Sequence, residues 1–139
     1  MNRFVLDASV ALRWFLSNPV PTYARRVRRL MLTGVPALVP ALWHLEMANG
    51  LAIAERRGIL TAADMDRSLQ DIERLLSQMI ESDTALVSTR QALTAARAFH
   101  LSGYDAVYLD LARREQLPLA TLDEELRAAA TQAGVTLLR

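Results

Sequence analysis

Arg3-Phe4-Val5-Leu6-Asp7-Ala8-Ser9 is the stretch on which the reading of this chain turns. Phe4, Val5 and Leu6 are consecutive apolar residues, two of them aromatic or β-branched, as in a short strand buried on both faces. A helical pattern begins directly afterwards, with Val10, Ala11, Trp14 and Phe15 on one side. Asp7 stands at the junction. In open α/β sheets, ligands gather outside the carboxyl ends of strands. An acid at that address is either a helix cap, contributing about 1 kcal/mol, or part of a site. Taken alone, Asp7 reads first as the cap.

The same alternation continues along the chain. Asn18-Pro19-Val20-Pro21 breaks the first helix. A second follows, with Tyr23, Val27, Leu30 and Met31 on one stripe and Arg25, Arg26, Arg28 and Arg29 on the other faces. Ala37-Leu38-Val39 is the second strand. Pro40 opens a long helix over about Ala41 to Arg57, which Gly58 ends as a C-cap. Thr61 to Asp64 is a capping box, leading a helix striped by Met65, Leu69, Ile72, Leu76 and Met79. Thr84–Val87 reads as a third strand, and Ser88 to Gln91 as another capping box. Ser102 starts a helix that runs to about Glu115. Leu117–Ala120 is a fourth strand, Leu122–Gln132 a helix stopped by Gly134, and Val135–Leu138 a fifth strand. Strands alternating with helices imply βαβ units. The expected fold is therefore α/β, a mostly parallel five-stranded sheet flanked by helices. With no repeat, low-complexity segment or linker, residues 1–139 read as one domain.

Composition removes several chemistries. Just over half of the residues are hydrophobic, which excludes a disordered chain. Cysteine is absent, and with it disulfides, zinc–thiolate sites and thiol nucleophiles. The formal net charge of +1 gives no overall basic field. All sixteen basic residues are arginine, so a catalytic lysine and a phosphate-binding loop of the Gly-x-x-x-x-Gly-Lys type are both excluded. The short apolar runs near the N-terminus are broken by Asp7 and Arg13 and form neither a signal peptide nor a spanning helix. A soluble, cytoplasmic protein without membrane contact is the expectation.

Four carboxylates stand apart from the solvated helix surface. Besides Asp7, Glu46 shares a stripe with Leu42, Asn49 and Ile53, spaced by four, three and four. That stripe either buries a carboxylate, at a cost of several kcal/mol or a shifted pKa, or lies at the edge of the core with Glu46 reaching water. Gly50, unfavourable in mid-helix, suggests close approach of another backbone. Asp105 lies three residues after Ser102, a capping variant or a site acid in front of an apolar run. Asp123 follows the fourth strand; Thr121 and Glu124 already supply a capping box, which leaves Asp123 surplus. A cluster of such acids would repel itself in a dry site, and a divalent cation resolves the conflict. Hard oxygen ligands select Mg²⁺ or Mn²⁺. An ion of this kind lowers the pKa of bound water and stabilises both oxygens of an in-line phosphodiester displacement.

Four motifs in order carry a resemblance: Phe4-Val5-Leu6-Asp7-Ala8-Ser9, Glu46-Met47-Ala48-Asn49-Gly50-Leu51, Tyr104-Asp105-Ala106-Val107-Tyr108-Leu109 and Thr121-Leu122-Asp123. With them the chain resembles, over its full length, the PIN-domain ribonucleases, specifically the VapC-type toxins of toxin–antitoxin pairs. The resemblance implies an acidic pocket at one edge of the sheet, with Asp7, Glu46, Asp105 and Asp123 as catalytic metal-binding carboxylates. It implies Ser9, Asn49 and Thr121 as polar residues orienting ligands or water. It also implies RNA as substrate, Mg²⁺ or Mn²⁺ as cofactor, a homodimer, and inhibition by a small VapB-like antitoxin. Glu124 and Glu125 are candidates for an additional acid. The products of such a reaction are a 5′-phosphate and a 3′-hydroxyl, with no side-chain nucleophile.

The remaining candidates read more plainly. The arginines at 25, 26, 28 and 29 form a solvated face first and a contact for RNA phosphates or an antitoxin second; Arg25 and Arg29 are the residues carried forward as contacts. Arg13, one turn from Asp7, is a candidate partner for a phosphate or an acidic protein. His44 and His100 are not brought together by any pattern, and Trp14, Phe15 and Trp43 read as core. A receiver domain needs a lysine that this chain lacks. A haloacid-dehalogenase-type phosphatase needs a second acid where Ser9 stands. The alternatives to an endoribonuclease are a non-catalytic PIN-like scaffold that binds a protein or RNA, and a nuclease acting on DNA or structured nucleic acid.

Overall fold

Residues 2–139 are described by a computed structural model. The elements run β1 (Phe4–Leu6), α1 (Ala8–Leu16), α2 (Thr22–Leu32), β2 (Ala37–Val39), α3 (Ala41–Arg56), α4 (Ala62–Gln78), β3 (Ile80–Ser82), α5 (Thr89–Phe99), α6 (Gly103–Glu115), β4 (Leu119–Ala120) and α7 (Glu124–Gln132). The four strands form one parallel sheet in the order β3-β2-β1-β4. β1 and β2 are buried along their whole length, as continuous apolar runs in a parallel sheet require. Around them one apolar core joins Phe4, Leu6, Trp43, Tyr108, Leu109 and Leu126, all almost fully buried.

The strand order has a consequence for function. From β1 the chain moves outward through β2 to β3, then returns to lay β4 on the opposite side of β1. The order therefore reverses between β1 and β4, and at such a reversal the loops leaving two strand ends diverge and open a crevice. Asp7 follows the end of β1, and Thr121 and Asp123 follow the end of β4. α6 packs on β1 and α7, while α1 packs on α2 and α3, so helices bearing the other acids close around the same end.

Several sequence expectations need correction. The sheet has four strands, not five. Val135–Leu138 touches β4 through a single parallel bridge, Leu119 to Leu137, with backbone bonds from Leu119 N–H to Thr136 and from Leu138 N–H to Leu119. β4 pairs over two residues only, and the preceding Pro118 has no N–H to extend a ladder. The third strand is Ile80–Ser82 rather than Thr84–Val87: Ile80 aligns with Ala37, and Met79, read as part of the helical stripe, already accepts a bond from the Ala37 N–H at 2.9 Å. Only Ile80 of this edge strand is buried, which hid it from a search for apolar runs. Leu86, in the run that looked like a strand, is 92% exposed. In α4 the buried stripe includes Ser68 and Ile72, while Leu69 turns outward.

The long helix α3 starts and stops as read, with Gly58 at positive φ after its end. Gly50 has a different cause from the one expected. A Cβ there would lie 2.7 Å from Cδ2 of Leu12, so the close neighbour is a side chain of α1, not another backbone. Both capping boxes form, Thr61 with Asp64 and Ser88 with Gln91. Among the described residues no helix is long and apolar enough to cross a membrane.

The register of β3 gives a direct test. Ile80→Ala is expected to lower unfolding stability by about 2–4 kcal/mol, as for a buried aliphatic truncation, whereas Leu86→Ala stays within about 0.5 kcal/mol. Urea denaturation of the two variants checks this, and the reverse ranking would place the third strand at Thr84–Val87.

Candidate active site

Asp7 occupies the N-cap position of α1 yet makes no capping hydrogen bond. Its carboxylate is turned to a different use. Oδ2 accepts from the Ser9 hydroxyl at 2.7 Å and from the Thr121 hydroxyl at 2.6 Å. Each hydroxyl is itself anchored by an N–H: Leu122 donates to Ser9 Oγ and Asp123 donates to Thr121 Oγ1, both at 3.0 Å. The end of β1 is thereby tied to the end of β4 through one carboxylate. With 4% of its surface exposed, Asp7 is the one buried charged side chain among the described residues, and hydroxyl donors are what make such burial tolerable.

Asp123 is not surplus to capping; it is the cap. Its Oδ1 accepts from the Leu126 N–H at 2.9 Å and so starts α7; no box between Thr121 and Glu124 forms, because the N-cap is Asp123 and the Thr121 hydroxyl accepts from the Asp123 N–H while donating to Asp7. Ser102 caps α6 by accepting from the Asp105 N–H at 3.1 Å, which leaves the Asp105 carboxylate unused by the cap. Glu46 lies on the half-buried edge of α3, beside the fully buried stripe of Trp43, Met47, Leu51 and Ala54. Its Oε1 accepts from the Tyr108 hydroxyl at 2.6 Å.

These side chains line one cleft of about 300 Å³, together with Ala8, Ser9, Leu12, Asn49 and Gly50. All four predicted acids, Asp7, Glu46, Asp105 and Asp123, border it, and no basic side chain does. A larger cleft of about 510 Å³ runs along α5 past Thr89, Arg90, Leu93, Thr94 and Arg97, but contains no carboxylate. Among the described residues no three acids or histidines already converge as a metal-chelating group.

The charges are visibly in conflict. Burial pushes the Asp7 carboxyl up, and the Ser9 and Thr121 hydroxyls, with the Ser9 backbone, pull it back only in part. Burial also raises Glu46, offset by Tyr108 and reinforced by Asp7. Asp105 is pushed up to about 6, first by burial and then by the charges of Asp123, Asp7, Glu46 and Glu125. Of the two extra acids, Glu125 thus reaches Asp105 electrostatically, although neither Glu124 nor Glu125 borders the cleft. Burial and the Asp7 and Glu46 carboxylates push the Tyr108 phenol well above its usual range, so it remains a donor. A set of hard oxygen donors whose mutual repulsion has no neutralising arginine fits a divalent cation that keeps much of its water.

Other candidates are dispersed. Arg13 donates to Ser17 and does not reach the cleft. Arg25 and Arg29 lie on the exposed face of α2 and are not lining residues. His44 pairs with the Ser82 hydroxyl at 2.8 Å, and His100 ends α5 in a left-handed conformation, both away from the acids. Sequence reasoning missed Tyr108, which it counted among the apolar residues of α6. The available signal was a phenol one turn after Asp105 in an otherwise apolar run, since a buried hydroxyl needs a partner.

Residues 4–132 match the PIN domain. None of the curated proteins matches the chain. Among solved structures it is similar to the crystal structure of PAE2754 from Pyrobaculum aerophilum, with a TM-score of 0.66 and 25% identity, covering 91% of this chain and 78% of that one.

The repulsion at Asp105 predicts a pH effect. Its folded-state pKa lies above the 3.8 of an ordinary aspartate, so the folded form holds the proton longer and stability is lost as pH rises through about 6. In EDTA, Tm is expected to fall between about pH 4 and 6 and to level off above that. Asp105→Asn should flatten that fall and raise Tm at pH 7.5 by roughly 2–5 °C, allowing for solvent screening of a half-exposed group. Differential scanning calorimetry across this pH range checks both; an Asp105→Asn profile that matches the wild type would contradict the assignment.

Proposed function

The chain belongs to the PIN-domain family, whose members are typically metal-dependent nucleases, and on that premise we propose that it is a Mg²⁺- or Mn²⁺-dependent endoribonuclease. The observation that carries this reading is the meeting of Asp7, Glu46, Asp105 and Asp123 around one cleft at the reversal of strand order, with no basic group among them. These four carboxylates would hold the cation. A bound Mg²⁺ or Mn²⁺ supplies charge against the phosphate and lowers the pKa of water.

The protein's own part is positioning. Ser9 and Thr121 fix the Asp7 carboxylate by one oxygen. Asn49 borders the same cleft from α3, an exposed amide able to orient water or a phosphate oxygen. Hydrolysis joins a water oxygen to phosphorus and breaks the bond from phosphorus to the 3′ oxygen. The products are a 3′-hydroxyl and a 5′-phosphate, and no side chain becomes covalently attached. The substrate's phosphates need cations beyond the acids. The exposed face of α2, with Arg25 and Arg29, and Arg13 on α1 are the proposed contacts for RNA or for an acidic partner.

The biological role we propose is the toxin of a VapC-type pair: a single PIN-like domain over residues 1–139, homodimeric, cytoplasmic and silenced by a VapB-like antitoxin.

Purified protein is expected to cut single-stranded RNA with Mn²⁺ or Mg²⁺, to leave 5′-phosphate ends, and to stop on adding EDTA. Asp7→Asn and Asp105→Asn should each lower the rate by roughly 10²-fold or more while the fold persists. Gel analysis of end-labelled RNA and DNA reads this: RNA bound but never cut would favour a scaffold, and cleavage of DNA alone would change the substrate. Expression is expected to arrest growth, and co-expression of an adjacent short reading frame to restore it; growth unaffected by an active enzyme would argue against the toxin role.

A further inference from the structure

Tyr108 has no part in the site as read from sequence, yet its ring is fully buried and its hydroxyl faces the acids. The hydroxyl donates to Glu46 Oε1 at 2.6 Å and lies 3.4 Å from the donating N–H of Ala8, the residue next to Asp7. On α6 Tyr108 follows Asp105 by three residues, so the two share a side of the helix. One phenol therefore meets the three segments that present Asp7, Glu46 and Asp105. Packing does not explain the hydroxyl. A phenylalanine would fill the same core space without burying a polar atom.

What the hydroxyl opposes is repulsion. Glu46 has three rotatable bonds and sits on the half-exposed edge of α3, with water available to it. Facing Asp7 and Asp105, its carboxylate gains by swinging outward. Apart from Tyr108 it has no hydrogen-bond donor among the described residues. A bond of 2.6 Å to a carboxylate lies in the strong, charge-assisted range. We infer that Tyr108 is a positioning residue, whose hydroxyl holds Glu46 at the acidic cleft so that the carboxylate is in place before a divalent cation arrives. The inference rests on the metal-dependent reading above. Partners that orient metal-binding side chains typically contribute 10–100-fold to metal affinity.

Mn²⁺ binding to the full chain, followed by the electron paramagnetic resonance of the free ion, tests this without any substrate. Tyr108→Phe is expected to weaken Mn²⁺ binding about 10-fold or more while remaining folded in EDTA. Glu46→Ala should weaken it as well, and adding Tyr108→Phe to Glu46→Ala should cost less than about 2-fold further, because the hydroxyl then has nothing to hold. Glu46→Asp leaves the Tyr108 ring untouched and shortens the carboxylate's reach by one methylene; it is expected to lose affinity too, with Tyr108→Phe adding little to it. Mn²⁺ affinity within about 2-fold of wild type in Tyr108→Phe or in Glu46→Asp, or fully multiplicative losses in the double variants, would overturn the inference and leave the nuclease reading standing. A wild-type chain that does not bind Mn²⁺ would overturn both.

Discussion

Two hydroxyl groups on one carboxylate oxygen hold this site together. Ser9 and Thr121 come from opposite ends of the sequence, and both donate to Asp7 Oδ2. The bonds do more than solvate a buried charge. They link the residue after β1 to the residue after β4, strands whose pairing is short, with only Val5 and Leu6 in register with Leu119 and Ala120. Each hydroxyl also accepts a backbone N–H from the loop that leads into α7. Removing either one would loosen the carboxylate and the loop that carries Asp123. The crevice required by the strand order is thus closed chemically on one side and left open on the other, where the remaining acids stand.

The same cleft is a place where stability and function oppose each other. Asp7, Glu46 and Asp105 all have carboxyl groups shifted toward the protonated form, and burial is the first cause in each case. No arginine lines the cleft, although the chain has sixteen basic residues. Arginines are used instead on exposed pairs, as with Asp64, Asp71 and Asp83, each of which contributes little. An arginine beside Asp105 would relieve the repulsion and also occupy the position that a cation needs. A divalent cation would relieve the uncompensated charge, and the absence of arginine from the cleft is therefore more informative than its abundance elsewhere.

Legibility from the sequence followed burial. Phe4–Leu6 and Ala37–Val39 were found because both strands are buried on both faces and so appear as unbroken apolar runs. Ile80–Ser82 was missed because an edge strand needs only one buried residue, and Thr84–Val87 was mistaken for a strand although backbone pairing, not side-chain preference, decides that edge. For the site, the addresses of Asp7, Asp123 and Glu46 could be read, because strand ends and an inward helix edge are local features; Asp105, in the first turn of α6 after a helix rather than a strand, was placed by the resemblance alone. Their hydrogen bonds could not. Whether Asp7 caps a helix depends on Ser9 and on Thr121, 114 residues away, and Tyr108 is tied to Glu46 across 62 residues. No local pattern encodes such a partner.

Asp7 and Asp123 illustrate how far one address can diverge in use. Both follow a strand, both precede a helix, and both hold extended backbone angles at an N-cap. Asp123 caps its helix through Oδ1, as the local rule expects. Asp7 does not, because Ser9 two residues on reaches back to its carboxylate at 2.7 Å and Thr121 arrives from the neighbouring strand. The helix it begins can do without the cap, since α1 packs on α2 and α3 and buries Ala8, Val10, Ala11 and Trp14. α7 buries a shorter list of mostly small residues. Capping strength is therefore spent where packing is weaker, and the better-packed helix leaves its N-terminal acid to the cleft.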